Sequence, residues 1–85
     1  MEIGYAKSFR KEYTKLPKKV KEQFASRMEI FLENPFDPIL NNHILHVEYE
    51  QYRSINVNGD FRAIYKEKNG IVEFGRINTH SHLYG

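Results

Sequence analysis

YRSINVNGDFRAIYKEKNGIVEFGRI, residues 52–77, decides the fold. Tyr52, Ser54 and Asn56 alternate with Arg53, Ile55 and Val57, the period of two that places successive side chains on opposite sheet faces. Asn58-Gly59 follows and is the strongest short hairpin signal in the chain. Residues 61–66 (FRAIYK) read as the return strand over 61–66, and Lys68-Asn69-Gly70 as a second turn. Residues 71–77 make a third strand, in which Gly75 predicts a bulge or a close backbone approach. Two hairpins in succession give an antiparallel meander, which needs another layer over one face.

The first half supplies that layer. Residues 2–6 (EIGYA) read as a short strand. Phe9, Tyr13 and Leu16 then recur at steps of four and three, a helical stripe with Ser8 or a near neighbour as its cap. Pro17 interrupts it and suits the first turn of a new helix. Val20, Phe24, Met28, Phe31 and Leu32 carry the stripe onward until Asn34-Pro35 stops it. Residues 35–42 (PFDPILNN) are a turn-rich connection whose two prolines limit chain entropy. Residues 43–47 form a further short strand. The expected fold is α+β in the order β-α-α-β-β-β-β, with the N-terminal strand and helical hairpin on one face of a twisted antiparallel sheet. The other face is expected to stay uncovered, open to a partner.

Eighty-five residues allow one domain, expected over 1–85 without repeat or linker. Aromatics at 14% exclude a disordered tail. Without cysteine there is neither disulfide nor thiolate zinc site. No apolar run nears the roughly 20 residues that cross a bilayer, and the opening MEIGYAKSFRKEY lacks a signal peptide's apolar stretch. The expectation is a cytoplasmic chain without a membrane partner, monomeric when free. The net charge of +2 hides an asymmetry. Residues 7–21 hold seven cations (Lys7, Arg10, Lys11, Lys15, Lys18, Lys19, Lys21) against one acid, Glu12. Residues 35–60 hold Arg53 against Asp37, Glu48, Glu50 and Asp60. Such a local positive field suits an anionic partner, nucleic acid or acidic protein, although helices often carry lysines simply as a solvated face.

Histidines stand at 43, 46, 80 and 82. On a strand, His80 and His82 would share a face. No carboxylate sits at ligand spacing beside either pair, so no metal site is expected. Tyr5, Tyr13 and Phe24 are expected in the core rather than as a platform for bases. Asp60, after Asn58-Gly59, suits a turn carboxylate, and Arg62 an ordinary strand arginine.

Longer patterns say more. The elements are His43-Ile44-Leu45, Tyr52-Arg53-Ser54, Gly59-Asp60-Phe61-Arg62-Ala63-Ile64-Tyr65, and the closing Arg76-Ile77-Asn78-Thr79-His80-Ser81-His82-Leu83-Tyr84-Gly85. With Ser8-Phe9-Arg10-Lys11 and Leu16-Pro17 they resemble the RelE/ParE superfamily of type II toxins, within its YafQ-like branch. The resemblance covers essentially the whole chain. It implies a ribosome-dependent endoribonuclease (mRNA interferase) that inhibits translation by cutting mRNA, uses no metal or other cofactor, and is restrained by a cognate antitoxin. In that chemistry the ribose 2′-hydroxyl attacks the adjacent phosphorus. The reaction needs a base, an acid and cations around the phosphorane.

Carried over by position, the resemblance implies His80 as general acid or base and Asp60 as its counterpart or orienting partner. His43 would assist as base or phosphate contact. Arg62 would neutralise phosphate oxygens, as a guanidinium fork can. Tyr84 would stack on or position a base. Asn56, Arg53 and Arg76 join the RNA-binding set, and Lys7, Arg10, Lys11, Lys15, Lys18 and Lys19 would grip ribosomal RNA or receive an acidic antitoxin segment. The chain departs from the pattern at Asn56, where the YafQ branch has a histidine; asparagine carries no proton at neutral pH. It also has Val47 and Gln51 where relatives tend to have glycines. Two other functions stay open: an inhibitor of DNA gyrase as in the ParE branch, which lacks the C-terminal histidine pattern, and a catalytically weakened toxin that keeps antitoxin binding.

Overall fold

A computed structural model describes residues 1–46 and 49–85. The elements are β1 (Glu2–Tyr5), α1 (Lys7–Thr14), α2 (Lys18–Glu33), a 3-10 turn (Pro38–Leu40), β2 (His43–Ile44), β3 (Arg53–Asn56), β4 (Phe61–Lys68), β5 (Ile71–Thr79) and α3 (His80–Tyr84). The sheet order is β1-β5-β4-β3-β2. The expected α+β order is present, with one correction of direction. β1 runs parallel to β5, so the sheet is mixed. Hairpin turns dictate antiparallel pairing only between consecutive strands, and no turn joins β1 to β5.

Phe74 organises the core on the helical side. Its ring lies 5.3–6.0 Å from those of Tyr65, Phe31, Phe24, Phe9 and Tyr5. Val20, Phe24, Met28 and Phe31 of α2 are buried as their spacing predicts. Leu32 is not: it is 56% exposed, because Phe31, one residue earlier, takes the sheet-facing position. Pro17 stands just before α2, and Asn34 ends that helix.

The other corrections concern turns and caps. Ser8 caps nothing. Ala6 is the N-cap of α1, and Ser8 Oγ donates to Gly75 O at 2.6 Å. β1 ends at Tyr5, so the far half of β5 is a free edge, and α1 lies along it in place of a strand. Gly75 is the predicted bulge: Ile64 pairs with Arg76 and Tyr65 with Phe74, leaving Gly75 unpaired. The tight hairpin turn is Asn69-Gly70, with φ of 55° and 79°, rather than Asn58-Gly59. The strand expected over 43–47 shortens to His43–Ile44, and its Val47 end lies outside the described residues. Gln51, where the resemblance leads one to expect glycine, stands at φ 74°, in the left-handed region.

The second sheet face is not bare. Ser54 and Ile64, which pair across β3 and β4 on that side, are fully buried, and Leu83 of α3 is buried as well. α3 packs on β5, and the Tyr49 ring meets Tyr84 edge-on at 6.1 Å.

Candidate functional site

Asn58 builds the turn before β4. Its Oδ1 accepts from Asp60 N at 2.8 Å and Phe61 N at 2.7 Å, while its Nδ2 donates to Gln23 Oε1 of α2 at 2.8 Å. Arg27 Nε donates to Val57 O at 3.3 Å. These bonds fix the hairpin end to α2 and leave the Asp60 side chain exposed.

α3 meets this turn directly. His80 N donates to Asp60 O at 2.8 Å, and Thr79 Oγ1 caps the helix by accepting from His82 N at 3.2 Å. Residues 80–84 are therefore helical and not a strand end, so His80 and His82 point to different sides. Gly59, Asp60, Arg62, Thr79, His80 and Ser81 line one open cleft of about 580 Å³. Arg62 Nη1 is held by the carbonyls of Asn58 at 2.9 Å, Phe61 at 3.0 Å and Gly59 at 3.3 Å, while Nε and Nη2 have no hydrogen-bond partner among the described residues. Among the described residues, the Asp60 carboxylate has no hydrogen-bond or ion-pair partner. The cleft thus brings together a carboxylate, a guanidinium and an imidazole, the groups that acid–base chemistry on a phosphodiester requires.

Tyr84 offers less than expected. Its ring is half-buried between His80, edge-on at 4.8 Å, and Tyr49, and its hydroxyl is buried without a partner among the described residues. It packs against the His80 ring at the edge of the cleft. His43 is exposed on the outer strand, its Nδ1 2.8 Å from Asn41 O. Its register partner is Ser54, so two strand spacings, roughly 10 Å, separate it from β4. His43 does not line the cleft. Asn56 pairs with Arg62, which pairs with Asn78, so the three share one row on the cleft side. The Asn56 Oδ1 is buried and has no hydrogen-bond partner among the described residues.

Two candidate RNA contacts are committed elsewhere. Arg53 pairs with the core residue Tyr65, on the helical side of the sheet. Its Nε donates to Asn42 Oδ1 at 2.7 Å, and its guanidinium lies 5.1 Å from the Phe36 ring. Arg76 makes a two-pronged ion pair with Glu12 of α1, Nε to Oε1 and Nη2 to Oε2, both 2.8 Å, and donates to Tyr49 Oη at 3.0 Å. Burial alone would raise the Glu12 pKa. Hydrogen bonds from Arg76, Asn78 Nδ2 and Ile77 N, with the Arg76 charge, hold it below the usual carboxylate range. That carboxylate also raises the Arg76 pKa. Local sequence does not reveal the role of Glu12, because its partners lie 64–66 residues away; its one signal is that it is the lone acid among the seven cations of residues 7–21.

The sequence matches the family model described as the bacterial toxin of type II toxin–antitoxin systems, YafQ, over residues 1–85. The chain belongs to the YafQ toxin family. YafQ from E. coli strain BL21(DE3) has the same fold, with a TM-score of 0.84 at 25% identity over 99% of this chain and 98% of that one. The toxin chain of the E. coli DinJ–YafQ toxin–antitoxin complex gives 0.80 at 24% identity, covering 99% and 97%. The YoeB/ParE toxin from Agrobacterium tumefaciens gives 0.77 at 16%, covering 94% and 99%. The last two likenesses are of fold alone. No sequence among the curated proteins matches this one.

In this YafQ-family toxin six cations of the helical hairpin are exposed, Lys7, Arg10 and Lys11 on α1, Lys15 at its end, and Lys18 and Lys19 at the start of α2, while Lys21 and Arg27 of α2 are half-buried. Lys15 lines a groove beside the cleft, whereas Arg10 borders an apolar hollow with Tyr5, Phe9, Tyr13 and Phe24. No described helix is long and apolar enough to cross a membrane.

Proposed function

We propose that this YafQ-family toxin is an endoribonuclease that cuts mRNA on translating ribosomes, with Asp60, Arg62 and His80 as its reacting groups and no metal in the reaction. The 2′-oxygen forms a bond to phosphorus as the bond to the 5′-oxygen of the next nucleotide breaks. The products are a 2′,3′-cyclic phosphate and a 5′-hydroxyl. One member of the His80–Asp60 pair takes the 2′-proton and the other, protonated beforehand, gives its proton to the leaving 5′-oxygen. Histidine is suited to either task near neutral pH. Nε and Nη2 of Arg62 neutralise the non-bridging oxygens. Tyr84 positions His80, and His43 contacts a phosphate farther along the strand.

The observation carrying this reading is the 2.8 Å bond from His80 N to Asp60 O, which docks α3 on the hairpin turn and faces all three groups into one cleft. The exposed lysines support a ribosomal RNA contact, and the family supports a cognate antitoxin as partner. An activity on translated messenger places the protein in the cytoplasm.

Primer extension on a translated messenger, with wild type and His80→Ala, tests the assignment. We expect wild-type cleavage and a loss of roughly 10²–10⁴-fold in the variant, the usual contribution of a proton-transfer group. Cleavage that survives the substitution removes His80 from the mechanism. No cleavage, with blocked supercoiling by gyrase, would replace the nuclease by the gyrase-directed alternative.

A further inference from the structure

A second depression adjoins the cleft on the other side of α3. It holds about 410 Å³ and lies between the α1–α2 corner and the free edge of β5. Leu16, Pro17 and Phe61 give it an apolar floor, Asn78 forms a wall, and Lys15 and His82 stand at its rim. That size falls within the range of small-ligand sites. The corner is rigid: Lys15 N and Leu16 N donate to Glu12 O and Tyr13 O at 3.1 Å, and Pro17 fixes the entry to α2.

The polar groups of the groove divide into spent and free. Asn78 donates to Glu12 through Nδ2 and accepts from Thr79 N through Oδ1. Glu12 also lines the groove, but four donors engage its carboxylate and Arg76 offsets its charge. Lys15 and His82 are exposed and, among the described residues, neither side chain has a hydrogen-bond or ion-pair partner. What remains is an apolar slot with one permanent cation and one imidazole at its mouth. A flat aromatic body attached to an anion fits that combination, and successive nucleotides of a single strand have that form. His80 and His82 sit two residues apart on one helical turn, roughly 5–6 Å between Cα atoms. A strand crossing α3 there would carry one nucleotide from the cleft to the groove.

We propose that the groove is a subsite for the nucleotide next to the reacting phosphate, its base on Phe61, Leu16 and Pro17 and its phosphate held by Lys15 and His82. The proposal rests on the nuclease reading for the occupant of the cleft. The subsite is sequence-tolerant, because apolar stacking accepts any base and the amide of Asn78 is already engaged.

The test uses the full chain and two probes that cannot be cut. One is a 2′-fluoro tetra-adenylate, which lacks the attacking hydroxyl; the other is its abasic counterpart. NMR titrations give the affinity of each for wild type and for the Lys15→Ala/His82→Ala double variant. Both residues are exposed, so the variant keeps its fold, checked by its spectrum. Wild type is expected to prefer the base-bearing probe by roughly fivefold or more, and the double variant to bind both probes severalfold more weakly, because each keeps the phosphate. Shifts at Leu16, Phe61 and His82 are expected to accompany those at Asp60 and His80. Equal binding of the two probes by wild type, or a double variant that binds both as tightly as wild type does, overturns the subsite. Messenger cleavage by wild type alongside that result leaves the nuclease standing without it. The expected base preference and loss of affinity in a protein that cuts no RNA remove the nuclease reading and leave a subsite for single-stranded RNA.

Discussion

Asn69 and Gly70 both hold positive φ, as a two-residue hairpin turn requires, whereas neither Asn58 nor Gly59 does. Asn58 instead spends its side chain on the turn, accepting from two backbone amides and donating to Gln23. A Cβ at Gly59 would meet open space, and one at Gly70 would meet no atom but an unfavourable conformation. Gly70→Ala should therefore cost about 1–2 kcal/mol in denaturant unfolding, the price of a left-handed non-glycine residue. Gly59→Ala should stay within about 0.5 kcal/mol. The pair Asn-Gly predicts a turn at both places. Which is tight depends on Gln23 and α2, which local sequence does not contain. The same holds for the site. Asp60, Arg62 and His80 were legible as a set by resemblance. The engagement of Arg53 by Asn42 and Phe36, and of Arg76 by Glu12, arises from contacts across 11 to 64 positions.

Elements were legible where a periodic stripe ran long, as in α2, and failed where it was short. His80-x-His82 has the spacing of a strand, yet five residues with Thr79 as cap and Gly85 at the end form a helix. The helix turns His80 toward the Asp60 cleft and frees His82 for the neighbouring groove. α1 is read correctly as a helix, but not its task along the β5 edge, where Glu12 accepts from Ile77 N at 3.1 Å. Glu12→Gln should destabilise by about 2 kcal/mol, between the values for exposed and buried pairs. Because folding lowers the Glu12 pKa, its contribution is fully present above the unfolded carboxylate pKa of about 4.3 and is lost as pH falls through the lower folded value. Unfolding followed from pH 7 into acid should show wild type and variant converging. A gap that persists unchanged below both values would contradict the ion-pair account.

At the scale of the molecule, the proposed RNA contacts fall on two surfaces, the cleft with its groove and the exposed lysines of the helical layer. The cleft and groove sit at the hairpin end of the sheet, while Lys18 and Lys19 begin α2 nearby in sequence to the groove residues Leu16 and Pro17. Lys18→Ala/Lys19→Ala should leave stability unchanged and lower the salt dependence of RNA affinity. Each lost phosphate contact should reduce the slope of log K against log salt by roughly 0.7. An unchanged slope would return these lysines to the role of a solvated face. The most direct test of the account is made on the substrate. A messenger carrying one 2′-O-methyl group at the mapped scissile nucleotide is translated with the toxin beside its unmodified twin. The account predicts a cut only in the unmodified message, leaving a 2′,3′-cyclic phosphate; equal cutting of both at that bond would contradict it.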